Sequence, residues 1–264
     1  MTSISDAFRR AEEERRAALI VYLTAGYPDL QSSVDHMLAC VDAGADMLEI
    51  GIPFSDPVAD GPVIQAASDA ALRAGMRPRN VVELIRKLRK STDVPLIPMG
   101  YYNPILQFGE EEFIEEIAAA GANGLIVADL PLEESVSLSR LCRKKRVDLI
   151  QLAAPTSGKE RIGRIAKASR GYLYLVSRLG TTGRSEWSEE GIGPLIRDAK
   201  SVSGGLPVAV GFGISSGSQV LRLVGLGADG VIVGSSIIER ISNGEGPEMV
   251  SRFVKDLRRA CEWR

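Results

Sequence analysis

Gly44-Ala45-Asp46-Met47-Leu48-Glu49 has two echoes further along the chain: Gly121-Ala122-Asn123-Gly124-Leu125-Ile126 and Gly227-Ala228-Asp229-Gly230-Val231-Ile232. Each follows an amphipathic stretch and opens a short apolar run. The glycine suits a left-handed helix C-cap, the next residues turn the chain, and a buried parallel strand follows. The same helix-to-strand joint used repeatedly points to a serial βα architecture and not to a sandwich or a bundle.

Working outward, the intervals contain further apolar runs. Strands are expected near Leu19–Leu23, Met47–Ile50, Leu96–Met99, Gly124–Val127, Leu149–Leu152, Leu173–Ser177, Val208–Val210 and Gly230–Val233. Helix-period stripes lie between them, such as Val82, Ile85 and Leu88, or Val220, Leu221 and Val224. A charged helix near Ser5–Arg15 precedes the repeats, and a last helix carries Met249, Val250, Phe253, Val254 and Leu257. Eight units in 264 residues suit a single α/β domain, residues 1–264, folded as a (β/α)8 (TIM) barrel with an extra N-terminal helix and additional helices. The competing open dinucleotide-binding sheet is disfavoured. Gly211-Phe212-Gly213-Ile214-Ser215-Ser216-Gly217 has one residue too many for its fingerprint and follows the seventh strand instead of the first.

Composition removes several function classes. Lys plus Arg (32) nearly balances Asp plus Glu (34), so no electrostatic footprint for nucleic acid or an anionic membrane exists. The longest apolar run, around Ala17–Leu23, suits a buried strand, and Met1–Arg16 lacks the apolar segment of a signal peptide. Cys40, Cys142 and Cys261 match no metal spacing and read as buried free thiols of a cytoplasmic protein. The lone histidine, His36, falls off the apolar face formed by Val34, Met37, Leu38 and Val41, and reads as a helix-surface residue. Proton chemistry therefore falls to carboxylates and tyrosines.

The second strand supplies them. Leu48-Glu49-Ile50-Gly51-Ile52-Pro53-Phe54-Ser55-Asp56-Pro57-Val58-Ala59-Asp60-Gly61-Pro62 ends an apolar strand on a glutamate, and a stiff loop then returns a second acid. Alternation with Leu48 and Ile50 turns Glu49 toward the barrel axis, where desolvation raises a carboxyl pKa toward working pH. Asp60 has a competing role as N-cap of a helix with Pro62 in its first turn; its pairing with Glu49 favours chemistry. Glycine-bearing loops after the last three strands, Gly180-Thr181-Thr182-Gly183, Gly211–Ser215 and Gly234-Ser235-Ser236, suit a phosphate cradle, with a helix start near Ser235 directed at the anion. Tight βα turns are the simpler alternative. Tyr101 and Tyr102 read as packing, and Tyr174 as a candidate catalytic group. Thr182 opens a polar loop, Arg178–Gly191, which holds Trp187 and suits a lid.

These phrases together resemble the tryptophan synthase alpha subunit family, nearly end to end. The resemblance is carried by Tyr22–Asp29, Leu48–Gln65, Met99–Pro104, Val127-Ala128-Asp129, Ala154–Ser157, Val176–Gly183, Gly211–Ser216 and Gly234-Ser235. It implies retro-aldol cleavage of indole-3-glycerol phosphate to indole and glyceraldehyde 3-phosphate. Glu49 would shuttle the protons and Asp60 would accept the indole N–H. Tyr22, Ile126 and Tyr174 would line the indole pocket, with Thr182 orienting Asp60. Gly183, Gly213, Gly234 and Ser235 would hold the phosphate. It also implies a beta subunit carrying pyridoxal phosphate, docked near Pro53–Asp56, Asn103 and Pro131 in an alpha2beta2 assembly, with no cofactor in this chain. Tyr22 and Thr181 depart from the family pattern, which has phenylalanine and an aliphatic residue there. An indole-glycerol phosphate synthase would need strand-end lysines, but Glu49, Tyr101, Asp129 and Arg178 stand at these ends. A free-standing lyase and a non-catalytic regulatory subunit are the remaining alternatives.

Overall fold

The structure, a computed structural model, describes residues 2–176, 189–211 and 213–262. Eight parallel strands close on themselves in sequence order: β1 (Ala18–Thr24), β2 (Met47–Gly51), β3 (Leu96–Gly100), β4 (Gly124–Val127), β5 (Asp148–Ala153), β6 (Leu173–Val176), β7 (Val208–Gly211) and β8 (Gly230–Val233). Closure is made by β1 on β8, with Ala18 beside Gly230 and Val21 beside Val233. The expected (β/α)8 barrel is therefore the observed architecture. Several strands run a residue beyond their apolar stretch, because the ladder continues where side chains turn polar or small.

The helices are α1 (Ile4–Glu13), α2 (Leu30–Asp42), α3 (Pro62–Arg73), α4 (Pro78–Arg89), α5 (Tyr102–Phe108), α6 (Glu110–Ala120), α7 (Val136–Lys144), α8 (Lys159–Ala168), α9 (Glu189–Val202), α10 (Gly217–Gly225), α11 (Ser235–Ser242) and α12 (Pro247–Ala260). Paired helices fill the β2–β3 and β3–β4 crossovers and follow β8. Strand alternation divides the core in two. Leu19, Val21 and Leu23 face the helical shell, whereas Ala18, Ile20 and Tyr22 face the barrel axis. The helix α1 closes the N-terminal end. Its Ser3–Asp6 capping box starts the helix, Ile4, Ala7, Phe8 and Ala11 are buried, and the Phe8 ring lies 5.7 Å from that of Tyr172.

The repeated joint has a common geometry. Gly44, Gly121 and Gly227 adopt φ of 101°, 98° and 94°, the left-handed region glycine enters at least cost. Two residues on, Asp46, Asn123 and Asp229 clasp the first part of the preceding strand. Their side chains accept the N–H of Leu19 (2.8 Å), Leu96 (3.0 Å) and Val208 (2.8 Å). Their own N–H groups donate to the carbonyls of the same three residues. A cation then finishes each joint: Arg16 on Asp46, Arg89 on Asn123 and Lys200 on Asp229. The sequence phrase is thus a device that sets the register of adjacent strands.

Cys40, Cys142 and Cys261 are buried free thiols. The reading of His36 as a surface residue is corrected: it is buried, with Nδ1 2.7 Å from the Ser32 carbonyl and Nε2 3.1 Å from the Glu245 carbonyl. The helix α12 packs along α2 and covers the flank that a barrel-facing stripe alone leaves open. No helix among the described residues is long and apolar enough to cross a membrane.

Candidate active site

Glu49 lies in the middle of β2, fully buried, beside Tyr22 of β1 in the ladder. Its neighbours Leu48 and Ile50 pack into the helical shell, so alternation turns the carboxyl to the axis. Tyr172, just before β6, donates its hydroxyl to Glu49 Oε1 at 2.5 Å. Glu49 Oε2 is buried with no hydrogen-bond partner. Burial pushes the carboxyl up to about 8, with the Tyr172 hydrogen bond opposing it. At neutral pH this group holds a proton.

Asp60 is carried by the loop between β2 and α3 and is 9% exposed. The N-cap of α3 is Gly61, with Pro62 following, so the capping alternative for Asp60 is excluded. Its backbone carbonyl instead accepts Gln65 Nε2 at 2.8 Å. Burial raises the carboxyl to about 6, and a hydrogen bond from the Tyr101 hydroxyl opposes that rise. Both carboxyls press on Tyr22 and Tyr174, whose phenols burial already holds far above their ordinary range. The two acids therefore share one interior.

Tyr22 and Tyr174 project from β1 and β6 into this interior. Two glycines make room for them. A Cβ on Gly51 would overlap the Tyr22 hydroxyl, and one on Gly211 would lie 2.5 Å from the Tyr174 hydroxyl. Ile126 of β4 is buried on the same axis-facing cluster, with Ile64, Ala128, Leu152 and Val176 partly buried against it. A cavity of about 450 Å³ opens along the β4–β5 side of the mouth, bounded by Val58, Ala128, Leu152, Val176 and Arg161.

The anion-sized features lie on the other side. Gly213, with φ 77°, follows β7. Gly234 caps α11 and Ser235 opens it; Ile237 N–H already bonds to Gly234, so the N–H groups before it face outward from the helix start. Ser236 Oγ donates to the Ile214 carbonyl at 3.0 Å and binds the two loops into one rim. Thr182, Gly183, Ser177, Phe212, Trp187 and most of the Arg178–Gly191 loop lie outside the described residues.

Sequence reasoning missed two groups. Tyr172 shares strand parity with Tyr174, and that spacing was the available signal. Tyr101, read as packing, bonds the Asp60 loop; its partner lies 42 positions away, so no local pattern announces it. Among the described residues no cluster of three His, Cys, Asp or Glu side chains gathers in a way that could hold a metal ion.

The family model described as tryptophan synthase alpha chain matches residues 8–262. A tryptophan synthase alpha chain from Synechococcus elongatus is 45% identical over 262 residues, covering 99% of this chain and 98% of that one. Another, from Prochlorococcus marinus, is 45% identical over 263 residues, covering 98% and 95%. A tryptophan synthase structure from Mycobacterium tuberculosis superposes with TM-score 0.91 at 35% identity over 100% of both chains. The alpha chain from Legionella pneumophila superposes with TM-score 0.88 at 34% identity, covering 99% and 97%.

Proposed function

The chain belongs to the tryptophan synthase alpha chain family, and from that premise we propose that Glu49 and Asp60 divide between them the proton and charge work of its reaction. That reaction is retro-aldol cleavage of indole-3-glycerol phosphate by a carbon–carbon lyase, with the indole passed to a beta subunit for L-tryptophan synthesis. The observation that carries the assignment is the buried, half-unpartnered carboxyl of Glu49 on the barrel axis.

The chemistry follows from the two pKa values being driven apart. Glu49, raised to about 8, starts protonated and delivers its proton to indole C3. The ring then carries an iminium, and its N–H donates to the Asp60 carboxylate, which at about 6 is ionised at neutral pH. The Glu49 carboxylate next takes the proton of the glycerol hydroxyl beside the breaking bond. The carbon–carbon electron pair returns to the ring, indole leaves, and the aldehyde of glyceraldehyde 3-phosphate forms. Glu49 ends protonated, as it began. A positioned acid or base of this kind contributes roughly 10²–10⁴-fold.

Tyr22, Ile126 and Tyr174 enclose the indole, and Gly183, Gly213, Gly234 and Ser235 hold the phosphate, with Thr182 orienting Asp60. The step draws on no cofactor in this chain; pyridoxal phosphate belongs to the beta subunit. That partner docks on the strand-end face, where Ser55, Asp56, Asn103 and Pro131 are exposed beside Val58, itself 72% exposed. Pro53, expected in that docking surface, is buried and does not contribute to it. Three buried thiols suit the reducing cytoplasm.

Incubation with indole-3-glycerol phosphate, following indole with and without a beta subunit, tests the reading. Indole release that rises with the partner supports it. No release under either condition overturns it, and full release unaided would make the chain a free-standing lyase.

A further inference from the structure

Tyr101 stands between β3 and α5 as the N-cap residue of that helix and is buried. Its hydroxyl accepts the N–H of Ala59, the residue next to Asp60, at 3.0 Å, which turns its own proton away from that amide and leaves it to favour the ionised form of the neighbouring Asp60 carboxyl. Its ring packs against Phe54 with centroids 5.3 Å apart. One side chain thus touches both the beginning and the end of the loop that bears Asp60. The mount itself is fixed twice: Tyr102 N–H donates to Asp129 Oδ1 at 2.8 Å, and Phe54 N–H donates to Ser68 Oγ at 3.1 Å.

We propose that Tyr101 is a positioning residue for the cleavage, its hydroxyl aiming the Asp60 carboxylate at the indole nitrogen while its ring fastens the loop to β3. The inference rests on the assignment of Asp60 above. An aspartate on a ten-residue-scale loop has many orientations, and one hydroxyl shared between the adjacent amide and the carboxylate selects among them. Unlike a packing contact, a hydroxyl donor is stronger toward the carboxylate than toward the neutral acid, so it favours the charged form.

The test compares Tyr101→Phe, Phe54→Leu and Asp60→Asn with the unaltered chain in complex with its partner. The pH profile of kcat/KM is measured from about 5.5 to 9. Removing the hydroxyl withdraws a bond that favours the carboxylate, so in Tyr101→Phe the acidic limb moves to higher pH. Turnover at pH 6.5 falls roughly 10- to 100-fold, the range of a lost supporting contact. Affinity for indole-3-propanol phosphate, which cannot be cleaved, stays within about twofold. Phe54→Leu keeps the hydroxyl and leaves the acidic limb in place. An unmoved limb in Tyr101→Phe, or an equal displacement in Phe54→Leu, overturns the proposal while leaving Asp60 standing. Wild-type turnover in Asp60→Asn overturns the assignment of Asp60 itself.

Discussion

The Tyr172 hydroxyl donates to Glu49 Oε1 at 2.5 Å across the barrel, from the start of β6 to the middle of β2, strands four places apart in a ring of eight. The bond spans the axis and does not run along a ladder. It leaves the second carboxyl oxygen without a partner, buried and directed into the interior. One oxygen is held and the other is bare, as the proposed proton shuttle requires.

This relationship makes the pH dependence specific. The proposed mechanism requires Asp60 ionised and Glu49 protonated, so kcat/KM should rise through about 6 and fall through about 8. The Tyr172 bond lowers the Glu49 value against burial. In Tyr172→Phe that restraint is gone, and the basic limb should move upward while the acidic limb stays. A pH–rate profile of the variant checks this; a basic limb moving downward would contradict it.

Glu49→Gln should abolish indole formation by roughly 10²–10⁴-fold while sparing the binding of indole-3-propanol phosphate. It should also stabilise the fold at alkaline pH. The folded-state carboxyl, near 8, lies above its unfolded value of 4.5, so the folded chain binds the extra proton between the two. Stability of the unaltered protein therefore declines from about pH 4.5 to about 8 and is level beyond, by on the order of 5 kcal/mol from this one group. The glutamine variant lacks that decline. Chemical denaturation at pH 5 and pH 8.5 should show the two proteins converging at the lower pH.

Gly51→Ala should disturb the proposed indole pocket without touching either acid. Its Cβ would strike the Tyr22 hydroxyl and lie 2.6 Å from Tyr22 Cζ, a placement a β-strand cannot relax. The expected cost is about 1–3 kcal/mol, with a raised KM for the substrate. Tyr22→Leu shortens the clashing side chain, so the double variant should be more stable than the sum of its parts. Thermal melts of the four proteins measure that difference; strict additivity would refute it.

How much of this was legible depended on whether a residue's partner was near in sequence. Glu49 was found by parity alone, since Leu48 and Ile50 face the shell. The joints were found because glycine, a small residue and an Asx recur where a strand must begin. Helix α3 left little trace: it buries Ala67, Ser68 and Ala71, small groups that make no strong stripe. His36 was misread because the carbonyl that meets its Nε2, that of Glu245 in the loop between α11 and α12, lies some two hundred residues on. Tyr101 was read as packing for a related reason: the groups its hydroxyl bonds, Ala59 and Asp60, arrive on another loop. Burial patterns are local; hydrogen-bond partners across a closed barrel are not.

The three joints make a last, graded prediction. Arg16 and Asp46 are each about 4% exposed and paired through 2.6 and 2.7 Å bonds. Asp46→Asn leaves a buried guanidinium facing a neutral amide, with Glu14 as its remaining acid, and should cost about 3–5 kcal/mol. For a chain this long that lowers Tm by roughly 6–15 °C. Lys200→Met removes the equivalent cation from Asp229, but that lysine is 44% exposed, so solvent screening holds the loss to about 1 kcal/mol or less. Both substitutions lie at the end of the barrel away from Glu49 and Asp60, and kcat of the folded fraction should be unchanged. Matching Tm losses in the two variants would mean that the charge pairs act alike whatever their burial. A kcat loss in Asp46→Asn would mean that strand register at the closed end reaches the mouth.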